Sequence, residues 1–417
     1  MSSSRVAVPP RPRPRMPLVY SLPVQCLKEL AAHDAPGAAL GAVIEVKSMQ
    51  LPRLYSLLMT DELPLLLAIN PSLSVRLLRH ESTIMASEAC VVHFLNQPDP
   101  RLQSTGSPRG EEEILSSSMQ LLGLVPKLLK HSSTSRESAY PYSIFEPTAG
   151  VVISMLSPPL SPSNRRSVDK EIGAMARALA SRTSPTGTFG MASRILSDPS
   201  CKATLTSPKV SGSKTWSEAF QTLLEAVLRD GEDMSVLLPY ETIRTHYRKL
   251  CWRLDAVKTP RLVVINVNSD DNVMVERRFS SKGESTKPVE TARLTGLRNW
   301  SQGIFGDPVL SSCFDDPSDE FIEGWQDGGE EVIEDEENMN GRSLLYQCYR
   351  AVVMIVTEYY RPQTDSKREL NGRRRLTSAL KELNEMFNDE DETIKRVRSL
   401  SIAEITRSPK RHKLSED

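Results

Sequence analysis

Residues 261–308 constrain this chain more than any other stretch: RLVVINVNSDDNVMVE, a polar interval, then RLTGLRNWSQGIFGDP. Residues 262–265 read as a short buried strand, 266–272 as a tight polar turn and 273–276 as a return strand. A third strand over 293–297 ends at Asn299-Trp300. Short apolar runs broken by Asn, Asp and Ser clusters are the expected signals of strands and turns. A polar turn between two strands, faced by a polar residue where a later strand ends, is suited to holding a phosphate and a metal.

A chain of 417 residues is long for one core, so two lobes or domains with tails are expected. With 25% charged residues and a net charge of −1, the composition argues against a nucleic-acid or membrane-surface protein as a whole. Prolines (29) outnumber glycines (20), which predicts several irregular connections. The cysteines are scattered, with neither a Cys-x-x-Cys pair nor a metal-type His spacing, and read as the reduced thiols of an intracellular protein. The N-terminal MSSSRVAVPPRPRPRMP has no apolar core of the kind a signal peptide needs. The most apolar segment, 344–360, falls short of the ~20 residues that span a bilayer. It also carries Gln347, Arg350 and Glu358, so it reads as a buried helix.

Along the chain, 1–18 is a basic, Pro-rich tail read as disordered, 19–145 a smaller lobe, 146–388 a larger one, and 389–417 a charged tail read as disordered. Strands are expected at 42–46, 63–69 and 140–145, and helices at 79–95 and 114–129. The second lobe reads as helices at 169–181, 216–229, 242–254, 344–360 and 365–387, with the strand–turn–strand unit inserted among them. Residues 315–340 form an acidic, Gly-containing insert. The C-terminal RSPKRHK matches a nuclear-import or phosphate-binding patch, with a solvated tail as the plainer reading. The layout is that of a two-lobed α+β protein with a ligand cleft between the lobes.

A series of segments resembles one family. LASRTSPTGTFG (179–190), TWSEAFQTLLEAVLRDGEDM (215–234) and LPYETIRTHYRKL (238–250) look like the C-lobe of fungal aminoglycoside phosphotransferase-like proteins. The likeness continues through LDAVKTPRLVV (254–264), LTGLRNWSQGIFGDP (294–308) and LLYQCYRAVVMIVTEYYRP (344–362). It covers roughly residues 60–390 and is strongest over 179–362. With the choline kinases, that family has the protein-kinase-like fold, a small strand-rich N-lobe and a larger, mainly helical C-lobe. The resemblance implies ATP-dependent phosphoryl transfer, in which a lysine holds phosphates, an Asp accepts the hydroxyl proton, and Asn and Asp hold magnesium.

Placed on this chain, those roles meet substitutions. The base position is Asn266, whose carboxamide cannot take a proton at neutral pH. Asn272 matches the metal-binding Asn. Asn299 stands in Gly-Leu-Arg-Asn-Trp where the family reads Gly-Leu-Ile-Asp-Trp, with Arg298 adding charge beside it. Ala68 falls at the lysine position, and Glu88 is the helix partner that lysine would have, with Glu81 as the alternative; without the lysine either reads as solvated. Gly37 and Gly41 make no phosphate cradle. Asp270 and Asp271 are rescue carboxylates or turn formers, and Asp255 and Asp307 look structural. The implied protein is pseudokinase-like, cytoplasmic, with ATP and Mg held weakly or not at all. It would bind a small molecule or nucleotide in the inter-lobe cleft, or a protein partner, but neither nucleic acid nor membrane. The competing reading is an active phosphotransferase on a small-molecule hydroxyl, in fungal secondary metabolism by association. A third is an interaction module acting through PRPRPR and RSPKRHK.

Overall fold

The computed structural model describes residues 28, 40–59, 64–98, 121–133, 141–200, 212–280, 289–327, 331–363 and 367–405. The tail at 1–18 and residues 406–417 lie outside them. Five antiparallel strands form the N-lobe sheet: β1 (Leu40–Val46), β2 (Arg53–Met59), β3 (Leu65–Ile69), β4 (Leu128–Ser132) and β5 (Tyr142–Phe145), in the order β1-β2-β3-β5-β4.

Period-two alternation explains why β3 reads LLLAI without a polar residue. Leu67 and Ile69 pack with Tyr55, Leu57, Tyr142 and Ile144 on one face, while Ala68 joins Leu54 and Phe145 on the other. Both faces are covered, so both need apolar side chains. Helix α1 (Ile84–Asn96) packs on β4 and β5 and reaches across to the C-lobe, where Phe94 meets Phe305 edge to face at 5.7 Å. It is buried nearly all round because it lies between the lobes.

Three elements differ from expectation. Residues 99–120 lie outside the described set, but a helix running to 129 is contradicted: the chain turns at 123–124 and residues 128–129 open β4. Gly123 and Pro126 explain the break, since Pro cannot donate to a helical ladder. Strand β2 was not foreseen, because its apolar residues cluster without a clean period of two. The expected helix at 79–95 instead begins with a 3₁₀ turn, Arg79–Thr83.

In the C-lobe, α2 (Pro162–Ala180), α3 (Trp216–Asp233) and α4 (Tyr240–Leu254) precede β8 (Arg261–Val264). Next come the long ribbon β9 (Val273–Ser280) and β10 (Val289–Leu297), then β11 (Gly303–Gly306), which pairs with β8 and with β7 (Gly190–Met191). The two-residue β6 (Val151–Val152) adds to β9. Gly296, at φ +141°, marks a register shift in β10, a conformation that favours glycine. Helices α5 (Asp319–Gln326), α6 (Met339–Tyr360) and α7 (Arg368–Ile405) complete the chain. Helix α7 continues past the boundary expected at 388.

Among the described residues of the acidic insert only Asp315 lines the cavity between the lobes. Helix α5 lies on α2 through Gly173 and Gly324, whose backbones approach too closely for a side chain on either. Lys170 pairs there with Glu323 at 2.6 Å and Asp327 at 3.0 Å. Among the described residues no helix is long and apolar enough to cross a membrane.

Candidate functional site

The turn from β8 to β9 is folded on itself by bonds from Ser269 N to Asn266 O (3.3 Å) and from Asn272 N to Ser269 O (2.8 Å). This places the Asn272 carboxamide beside the end of β10. Its Nδ2 donates to Asn266 O at 3.3 Å and to Asn299 O at 3.1 Å, and its Oδ1 accepts from Asn299 N at 2.8 Å. Asn299 turns its own Oδ1 onto Ser301 N at 2.6 Å. Asn266, Asn272 and Asn299 therefore converge, and all three line a cavity of about 420 Å³ between the lobes.

The β1–β2 hairpin tip closes over this end. Gln50 donates its Nε2 to Asp271 O at 3.0 Å and accepts from Asn299 Nδ2 at 3.2 Å. From the other side α1 anchors the same segment. Ser87 Oγ donates to Ser301 O at 2.6 Å, and Trp300 N donates to Glu88 Oε1 at 3.2 Å.

Ala68 and Glu88 lie behind the cavity and not on its wall. Ala68 is 0% exposed, in the same apolar cluster as Ile84 and Met85 of α1. Glu88 is 5% exposed, and burial pushes its carboxyl up to about 7, opposed only by the Trp300 N–H. Glu81, by contrast, does line the cavity and is held in a two-pronged pair by Arg361, at 2.7 Å on each oxygen. Solvated glutamates were expected at 81 and 88. Both are buried, because Glu81 has Arg361 and Leu78 N–H as partners and Glu88 has the Trp300 backbone.

The other acids separate as the sequence allowed. Asp270 points at α2, pairing with Arg165 at 2.6 Å, whereas the exposed Asp271 lines the cavity. Asp307 is wholly buried, capping Val309 N–H at 3.1 Å and accepting from Arg342 Nε and Tyr346 OH at 2.8 Å each. Asp255 accepts from Ser217 N at 3.3 Å. Arg298 does not line the cavity, and burial lowers its pKa.

These donors do not fit a magnesium ion. Mg²⁺ favours carboxylates in octahedral array. Here the two converging side chains are neutral amides, each with its oxygen already accepting a backbone N–H. Among the described residues no group of three His, Cys, Asp or Glu is placed to hold a metal. Among the described residues no lysine lines the cavity.

Four arginines on the opposite wall, Arg350, Arg361, Arg368 and Arg375, were not singled out by sequence reasoning, and neither was Gln50. The one available hint was the Arg361-Pro362 stop after a long apolar helix.

Comparison with known proteins places this geometry in a class. No protein-family model matches the chain, and no curated protein matches its sequence. Solved structures do. A candidate fructosamine-3-kinase from Haemophilus somnus 129PT is similar at 11% identity and a TM-score of 0.50, over 86% of this chain and 97% of that one. One from Thermobifida fusca YX-ER1 is similar at 14% identity and a TM-score of 0.50, over 86% and 98%. At such identities the likeness concerns the fold: the chain has the α+β, two-lobed kinase-like fold.

Proposed function

We propose that this protein is a pseudokinase-like binding protein, which holds a small molecule between its lobes without transferring phosphate. One observation carries the reading. The carboxamide of Asn272 is spent on the backbone of Asn266 and Asn299, so the residue at the metal-ligand position works as a structural brace. Support comes from Asn266 at the base position, which offers no proton acceptor, and from Ala68, sealed in the core where a phosphate-holding lysine would start. The resemblance to fungal proteins makes natural-product metabolites the first ligands to screen, and a protein partner responding to occupancy remains compatible with a scaffold role.

A second reading, an active phosphotransferase on a small-molecule hydroxyl, draws on Asp271. This exposed carboxylate lies on the cavity wall next to Asn272.

Calorimetry with ATP, with and without Mg²⁺, combined with phosphorus NMR of the nucleotide over hours, separates the two. The binding reading expects no magnesium-dependent gain in affinity and no nucleotide consumption with any screened alcohol. Magnesium-dependent turnover that Asp271→Asn abolishes would establish the second reading. Adding Asn266→Asp and Asn299→Asp together is expected to create a magnesium-dependent heat of ATP binding.

A further inference from the structure

The wall formed by the C-terminal helices differs in charge from the amide end of the same cavity. It carries Arg350 of α6, Arg361 just after it, and Arg368 and Arg375 of α7. Among the described residues Asp315 pairs with Arg350 and Glu81 with Arg361, and Glu358 lies 3.7 Å from Arg368. Among the described residues the carboxylate nearest Arg375 is Asp315, at 3.9 Å and already bound to Arg350. Its side chain is 55% exposed. Asp271 lies at the far end, beside Asn272.

We infer that this wall is the recognition site for an organic anion, a molecule carrying a carboxylate or a phosphate ester, with Arg375 as its principal charged contact. The inference rests on the binding reading above and names the class of ligand.

The geometry supports it in three ways. Arg368 and Arg375 are seven residues apart, two turns of one helix, so both guanidiniums reach the cavity from the same face. Arg350 and Arg361 already give their forks to Asp315 and Glu81, which cancels their charge and leaves Arg375 as the guanidinium that a ligand anion meets. Tyr349, Val353 and Met354 then supply an apolar flank from α6, which suits a carbon skeleton better than a bare inorganic ion. His80 adds no charge of its own, because burial lowers its pKa. A polycation or a quaternary amine would meet an unbalanced guanidinium at this wall, so the site selects against such ligands.

The test is a thermal-shift and calorimetric panel on the full chain in EDTA, without nucleotide. The probes are glucose 6-phosphate, an aryl carboxylate, inorganic phosphate, choline and kanamycin. The expected result is a raised Tm with at least one organic anion and none with choline or kanamycin. Arg375→Gln should weaken the anion about tenfold or more. Arg375→Lys should recover part of that loss, and Lys381→Gln, on the same helix, should change nothing. The phosphate-ester and carboxylate arms identify which source of anion the wall prefers. Stabilisation by the cations, no response to either organic anion, or undiminished anion binding in Arg375→Gln would each overturn the inference. Circular dichroism of each variant confirms that the helix is intact. Nucleotide turnover in the separate experiment above would overturn the binding reading while leaving an Arg375-dependent anion site standing, so the two failures are distinguishable.

Discussion

Two polar networks cross this molecule, and they differ in which residues they keep. In the C-lobe core, Trp216 Nε1 donates to Tyr346 OH at 2.7 Å, Tyr346 to Asp307, and Arg342 joins Asp307 to the Glu334 carbonyl. That network keeps its carboxylate and its cation, both out of water. At the cleft, Asn272, Asn299 and Gln50 make an equally connected set from neutral amides alone. A charge that only props up the fold must keep its partner, since an unpaired buried ion is costly. A network of neutral amides carries no such charge and needs only its hydrogen bonds satisfied.

The largest expected effect breaks the first network. Asp307→Ala strands Arg342 and should lower stability by about 3–5 kcal/mol, read as a fall in the urea midpoint. The next separates Glu88 from both. Its folded-state pKa of about 7 lies above the ordinary 4.5, so the folded state binds the proton more tightly. That contribution is complete below pH 4.5 and is lost as pH rises to 7, about 3 kcal/mol in all at roughly 1.4 per unit. The stability of Glu88→Gln relative to the parent should therefore climb between pH 5 and 7 and level off above; a flat difference would show that Glu88 is ionised throughout. Asn272→Ala removes the brace and should cost about 2 kcal/mol by the same urea measurement, while Asn272→Asp, unable to donate to two carbonyls, should cost nearly as much. Smallest is Gln50→Ala, expected to change the midpoint by less than about 1 kcal/mol because its bonds lie near the surface. Faster proteolysis within the β1–β2 turn would reveal its loss.

The C-lobe was legible where one physical rule governed it. Helix α3 has a single apolar face, with Thr215 as its N-cap, and the strand–turn–strand unit is bounded by its own Asn and Asp residues. The convergence of Asn266, Asn272 and Asn299 followed from the same local pattern. The N-lobe was less legible. β2 shows no clean alternation, and Gly123 and Pro126 interrupt what periodicity alone continues as a helix. What stayed hidden were contacts between distant residues. Glu81 meets Arg361 across 280 positions and Gln50 meets Asn299 across 249, and no local pattern marks either pair.

The packing of α5 on α2 has a consequence for affinity. Of the described residues in 315–340, only Asp315 reaches the cavity wall, so the described part of the insert sets no barrier to a ligand. The cover at the amide end is the hairpin tip, held by the two hydrogen bonds of Gln50. Together these are worth less than about 1 kcal/mol, which leaves the tip raised roughly 15% of the time or more. A ligand that needs it raised binds up to about 6-fold more weakly than its own contacts allow. Any partner that lifts the β1–β2 turn tightens binding by the same factor.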